Sequence, residues 1–352
     1  MKFTTGRLTF SIFAIIILFL SSASFRTPSI ARTGQQRPDK PKLQKSQSKE
    51  KEEEQQQKDD DTITLGRVLV LLDVTVVDPA NKPAMDLKQD EFVVTEDKVP
   101  QKIEFFSREQ VPVSLVFVID TSGSMRPKLD TVVKASTNLV KEGRAGDEMA
   151  VIEFKATPEL LEEFTGDVND VIDTLNGLVA GSQTAMLDAL YLAADYASKE
   201  GKNRRKAVLV VTDGLENDSY YKFNEVVNHL REIDVQIYLI GFISDLDRDS
   251  GLFKKSAKDK AETLLTKLAE ETGGKAFFPR ELSETHAIAE HISTDLRTQY
   301  SIGYYPSNSK KDGSFRAVRV QVNSGSRRLV ARSRNGYTAP REGEHKSVSN
   351  NK

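Results

Sequence analysis

Val113-Ser114-Leu115-Val116-Phe117-Val118-Ile119 runs without a charge into Asp120-Thr121-Ser122-Gly123-Ser124. A short apolar run rich in β-branched residues, closed by a turn-forming cluster, reads as a buried strand. Its C-terminal tip presents one carboxylate and two serine hydroxyls, on Asp120, Ser122 and Ser124. Lys206-Ala207-Val208-Leu209-Val210-Val211-Thr212 repeats the pattern and delivers Asp213-Gly214. Between them, Gly181-Ser182-Gln183-Thr184-Ala185-Met186-Leu187-Asp188 reads as a loop entering a helix with a hydroxyl, that of Thr184, at its mouth. In an open parallel α/β sheet, ligands bind beyond the carboxyl ends of the strands, at the point where strand order reverses. Two carboxylates and three hydroxyls gathered there form an all-oxygen site, which suits a hard divalent cation such as Mg²⁺. Mn²⁺ or Ca²⁺ could take the same place.

Working outward, strands and helices alternate. Helical stripes fall over residues 128–141, 185–199, 221–232, 258–271 and 283–298. Strands fall over 148–154, 159–164, 235–242 and 275–278, with 159–164 at an edge. That alternation implies a doubly wound, mainly parallel sheet over residues 110–298. In helix 185–199, Leu187, Leu190, Leu192 and Ala194 are expected to face inward.

The flanks are different in character. Residues 67–77, 91–95 and 101–106 read as strands, with a turn at Glu96-Asp97-Lys98. Residues 299–305, 315–322 and 329–332 read the same way, and 315–322 alternates apolar and polar with period two. Neither flank holds enough strands to stand alone. We therefore expect residues 62–109 and 299–338 to pair into one small β-sandwich, with the α/β domain inserted between them.

The five oxygen-bearing residues carry a resemblance. Asp120, Ser122, Ser124, Thr184 and Asp213 reproduce the Asp-x-Ser-x-Ser, Thr and Asp pattern of the metal-ion-dependent adhesion site, and the chain resembles a von Willebrand factor type A domain. The resemblance implies that the serines and the threonine contact the metal directly or nearly so. It also implies that the aspartates act through water, and that one coordination position is left for a partner's Asp or Glu carboxylate. Pro100-Gln101-Lys102-Ile103-Glu104-Phe105-Phe106 and Gln299-Tyr300-Ser301-Ile302-Gly303-Tyr304 further resemble a family of secreted bacterial proteins related to von Willebrand factor A and abundant in acidobacteria. The resemblance to the von Willebrand factor type A domain also implies a switch, because in some relatives the last helix, here 283–298, moves when the metal's coordination changes. Here it runs straight into a flanking strand, so ligand binding is expected to bias the orientation of the sandwich.

Composition narrows the function classes. The 352 residues carry a formal net charge of −2, with lysines and glutamates mixed along the chain, so there is no basic excess for nucleic acid. There is no cysteine, which excludes disulfides, thiolate metal sites, cysteine nucleophiles and a lipobox anchor, without fixing the redox compartment. Lys2 and Arg7 precede an apolar core over 10–20, and Ser21-Ser22-Ala23-Ser24 follows with small residues. That core has the length of a signal-peptide hydrophobic region and is shorter than the ~20 residues of a bilayer span. Residues 1–24 are thus expected to direct export as a signal peptide. Retention as an uncleaved anchor, the only membrane contact expected, is the alternative. Either fate places the folded part in the periplasm, the cell envelope or the medium. Residues 25–61 are too polar to bury a core and read as a disordered charged tether in which nothing docks; 339–352 read as a disordered tail.

Other motifs weigh little. Asp245-Leu246-Asp247-Arg248-Asp249-Ser250-Gly251 lacks the glycine and acidic ligand at the sixth and twelfth positions of a calcium loop, and reads as a polar surface loop. His229, His286, His291 and His345 are scattered. There is no Gly-x-Ser-x-Gly elbow, Walker loop or His-Glu-x-x-His motif, and no catalytic residue is singled out. Metal hydrolysis would also need a positioned base or a second metal. The expectation is an exported, metal-dependent protein-binding module and not an enzyme. An envelope scaffold with a purely structural metal is the alternative, and a metal-dependent hydrolase the weaker one.

Overall fold

The computed structural model describes residues 40–46, 68–108, 110–181, 183–214, 219–247 and 257–342. The expected signal segment, most of the tether and the outer tail lie outside these residues, as do Ser182, His345 and residues 215–218. In chain order, β1 (Gln44–Lys45) precedes the first flank, β2 (Val70–Val77), β3 (Phe92–Glu96), β4 (Val99–Gln101) and β5 (Ile103–Ser107). The α/β lobe follows as β6 (Val113–Asp120), α1 (Leu129–Lys141), β7 (Glu148–Phe154), β8 (Pro158–Thr165), α2 (Val168–Asn176) and α3 (Met186–Glu200). It continues with β9 (Arg205–Thr212), α4 (Phe223–Glu232), β10 (Gln236–Gly241), α5 (Ala257–Glu271), β11 (Lys275–Phe277) and α6 (Thr285–Arg297). The second flank is β12 (Gln299–Tyr304), β13 (Phe315–Val322), β14 (Val330–Arg332) and β15 (Gly336–Thr338).

The central sheet runs β1-β8-β7-β6-β9-β10-β11. Every pairing is parallel except β7 with β8. All eight residues of β6 are buried, because helices cover both faces of the sheet. Val116, Val118, Val208 and Val210 pack under α3, α4 and α5. Phe117, Ile119, Leu209 and Ile240 pack under α1, α2 and α6. Continuous apolar strands are what such two-sided burial demands. From β6 the sheet grows to β7 on one side and to β9 on the other, so strand order reverses between β6 and β9.

The flanks do pair. Two four-stranded sheets, β14-β2-β12-β5 and β15-β13-β3-β4, enclose a core that includes Leu72, Val74, Phe92, Val94, Tyr300, Ile302, Val318 and Val320. The sandwich meets the α/β lobe at the N-terminal ends of its strands. Arg204 and Arg205, at the start of β9, reach Asp73 of β2 at 3.0 and 3.4 Å. Gln299 of β12 donates to Gln236 of β10 at 2.8 Å. The opposite pole, with the strand tips, is left to the candidate site.

Several expectations need correction. Residues 101–106 are not one strand: β4 and β5 belong to opposite sheets, and the chain crosses between them at Lys102. Glu96 belongs to β3 and not to the turn; only Asp97 and Lys98 form it, both at positive φ (48° and 69°), the two-residue connection that suits a twisted hairpin. Helix α2 and strand β15 were not anticipated. On α3 the inward face is Met186, Leu187, Ala189, Leu190, Ala193, Ala194 and Ala197, whereas Leu192 is only half-buried. Contrary to expectation, the described part of the tether docks: β1 pairs with β8, and Lys45 meets Glu163 at 2.7 Å. Its anchor is Leu43, which packs against the α/β core beside an edge strand whose backbone groups need partners. The first residues of the tail also pack, with Ala339 buried and its N–H donating to the Ser314 carbonyl at 2.9 Å.

Candidate metal centre

Asp120 ends β6 in full burial, and its carboxylate is gripped from two sides. Oδ1 accepts the backbone N–H of Ser122 at 2.9 Å, the local turn that an Asp two residues ahead favours. Oδ2 accepts the Thr212 hydroxyl at 2.7 Å, which ties the tip of β9 to the tip of β6. The turn places Ser122 Oγ 3.1 Å from Ser124 Oγ. Ser122 is buried, Ser124 is exposed, and Met125 plugs the base of the turn in full burial.

Asp213 is buried on the neighbouring tip. Gly214 follows it at φ 77°, and its N–H donates back to Thr212 Oγ1 at 3.1 Å. A Cβ there would lie 2.7 Å from Ile243 Cγ2, so conformation and space both require glycine. Thr184 is buried on the loop into α3. That loop is stitched to the strand tips by Ala185 N–H to the Lys155 carbonyl (2.9 Å) and Gly181 N–H to the Thr121 carbonyl (2.5 Å). All five residues thus occur on three adjoining loops at one pole of the sheet.

Burial pushes the Asp120 carboxyl above the usual carboxylate range, against hydrogen bonds from Ser122 and Thr212, and the nearby charge of Asp213 adds to the rise. An ionised carboxylate in so dry a place is poorly solvated, and a cation is the partner that would favour it. Among the described residues no group of three or more His, Cys, Asp or Glu side chains gathers as a metal cluster. The donors here are two carboxylates and three neutral hydroxyls, a set that fits a hard divalent cation without excess negative charge.

Five further residues build the site and were not singled out from the sequence. Thr212 stands directly before Asp213, and its place at a strand tip was a readable signal. Thr121 donates to Glu153 Oε2 at 3.0 Å, and Lys155 Nζ lies 3.0 Å from Glu153 Oε1. Ser219 pairs with the first turn of α3 across more than thirty residues of sequence, a contact no local pattern announces. The described histidines sit elsewhere: His229 stacks on Tyr191, His286 lies beside Asn138, and His291 beside Asp295. Ser244–Asp247 form a 3₁₀ turn, and the rest of that acidic loop lies outside the described residues.

Residues 115–216 match the family model of the von Willebrand factor type A domain. Human matrilin-3 is 29% identical over 147 residues, covering 37% of this chain and 29% of that protein. The Escherichia coli protein YfbK is 29% identical over 181 residues, covering 46% of this chain and 31% of its own length. The chain therefore spans under a third of the length of these curated relatives. Among solved structures, an aerotolerance-related membrane protein of Bacteroides fragilis aligns with 52% of this chain and 98% of its own, at 18% identity and a TM-score of 0.42. The von Willebrand factor domain of the pilus tip protein Mfa5 of Porphyromonas gingivalis aligns with 53% of this chain and 97% of its own, at 15% identity and a TM-score of 0.41.

Proposed function

We propose that this chain is an exported protein-binding module whose contact is a divalent cation shared with a partner's acidic side chain. The observation that carries the reading is the junction at the strand-order reversal, where Asp120 takes hydrogen bonds from both Ser122 and Thr212, the residue before Asp213. Ser122, Ser124 and Thr184 would hold the cation, with Asp120 and Asp213 balancing its charge directly or through water; Mg²⁺ is the first choice, with Mn²⁺ or Ca²⁺ able to substitute. When bound, it supplies an electrophilic position for a carboxylate oxygen. The residues' own part is to fix that position and to shield its inner side. Asp120 and Ser122 are buried, Met125 closes the base, and Ser124 faces solvent on the side from which a partner's Asp or Glu would arrive.

Catalysis is not part of this reading, since the described histidines lie away from the centre and hydrolysis needs a positioned base. The expected export through residues 1–24 is consistent with a binding role outside the cytoplasm. Among the described residues no helix is long and apolar enough to cross a membrane. The test is capture from the producing cell's envelope fraction in Mg²⁺ or EDTA, beside an Asp120→Ala/Ser122→Ala variant. A partner held only by the unaltered chain in Mg²⁺ supports the reading. Equal recovery in every lane refutes it and favours a scaffold whose metal, if bound, is structural.

A further inference from the structure

Helix α3 starts just after Thr184, yet its N-cap residue is Ala185, which has no side-chain cap to offer. The cap arrives from a distant part of the chain. Ser219 Oγ accepts the backbone N–H groups of Leu187 (3.1 Å) and Asp188 (3.3 Å), two of the donors a helix start leaves without intrahelical partners. The exchange is reciprocal. Asp188, itself buried, accepts the N–H groups of Tyr220 and Tyr221, each at 2.9 Å. Ser219, Tyr220 and Tyr221 close the connection that leaves Asp213 and enters α4. Four hydrogen bonds therefore join the limb that continues from Thr184 into α3 to Ser219–Tyr221, which Asp213 precedes in sequence across residues 215–218, outside the described residues.

The near ends of both limbs are already fixed, by Thr212 on Asp120 and by Ala185 on Lys155. The Ser219–Asp188 bracket fixes the start of α3 against the entry to α4. We infer that Ser219 and Asp188 are positioning residues for the candidate metal centre, setting the separation of Thr184 and Asp213 before any cation arrives. The inference rests on the metal reading above and extends it to residues outside the five-residue pattern. These four bonds run to backbone groups and not to ligand side chains, so their loss should weaken binding by less than the about 10–100-fold of a direct partner of a metal ligand.

The bracket can be opened without unfolding the lobe. Tyr221 also stacks on Tyr191 of α3, with ring centroids 3.8 Å apart, so α4 keeps an apolar fastening to α3 when the hydrogen bonds are lost. The experiment is a calorimetric titration of the full chain with Mn²⁺, comparing wild type with Ser219→Ala, Ser219→Thr and Asp188→Asn. Thermal unfolding in EDTA is measured alongside. We expect Ser219→Ala and Asp188→Asn each to weaken Mn²⁺ binding about 3–10-fold, below the effect of a direct ligand partner. Ser219→Thr, which keeps the hydroxyl, should restore it, and the apo melting temperatures should not track these losses. Wild-type affinity in Ser219→Ala and Asp188→Asn would overturn the inference while leaving the metal reading intact, as would failure of Ser219→Thr to restore binding. No Mn²⁺ uptake by the wild type would overturn the metal reading itself, and the inference with it.

Discussion

At the residue scale, the candidate centre separates groups that build the pole from groups that would only face a bound cation. Thr212 is a builder: its hydroxyl donates to Asp120 and accepts from Gly214. Thr212→Val should cost about 1–3 kcal/mol by leaving buried polar groups unpaired, readable as a lower urea midpoint without added cation. Ser124 is exposed, and Ser124→Ala should weaken cation binding while leaving that midpoint unchanged. A stability loss in Ser124→Ala equal to that in Thr212→Val would contradict the division. Asp73 shows the same logic at the opposite pole. Burial alone would raise its carboxyl, but Arg205 and Arg204 outweigh burial and hold it below the usual carboxylate range. Because the folded value is the lower one, its stabilisation is complete above the ordinary value of about 3.9 and is lost as pH falls through the folded value. Asp73→Asn leaves the wholly buried Arg205 without its counter-charge and should cost about 3–5 kcal/mol at neutral pH. Unfolding curves for that variant should also respond less to acidification below about pH 5; an unchanged acid response would refute the assignment.

At the element scale, the strands that could be read were those with a sustained pattern, buried on both faces as in β6 and β9 or alternating with period two as in β13. β6 and β9 carry nearly unbroken apolar runs, so their tips, and with them Asp120 and Asp213, were legible in the residue pattern alone. Where an element is short or its pattern brief, the reading failed. α2 spans nine residues and buries only Val171 and Leu175, too little periodic signal against its polar neighbours. β15 has three residues and exists because β13 offers it an edge. β1 is the extreme case, held by Leu43 and two residues of ladder. Leu43→Asp should release residues 40–46 from β8, seen as faster amide exchange there and along β8 with little change at β6. Unchanged exchange would mean that the strand pairing does not depend on Leu43.

At the scale of the whole molecule, the two lobes meet at the pole opposite the candidate centre, and the foot of α6 is part of the seam. Arg332 of β14 pairs across it with the buried Asp295 at 2.5 Å, while within the α/β lobe Arg205 donates to the Leu296 carbonyl at 2.8 Å and Arg297 meets Asp147 at 2.9 Å. The resemblance suggests that a ligand at the metal would turn the sandwich through this helix. Breaking a buried pair such as Asp295–Arg332 costs about 3–5 kcal/mol, more than the about 1–3 kcal/mol of a typical coupling between sites. Solution-scattering profiles with and without Mg²⁺ should therefore superimpose, and a change in maximum dimension would show that α6 does move its foot. The arrangement of the lobes itself was only half legible. That the flanks would pair could be read from their strand patterns, but which pole they would cap depends on Asp73, Gln236 and Gln299, contacts between residues far apart in sequence.

The central claim is the cation, and counting bound Mn²⁺ by equilibrium titration tests it most directly. The account predicts one equivalent for the wild-type chain and none for Asp213→Ala. No uptake by the wild type, or equal uptake by both proteins, would contradict it.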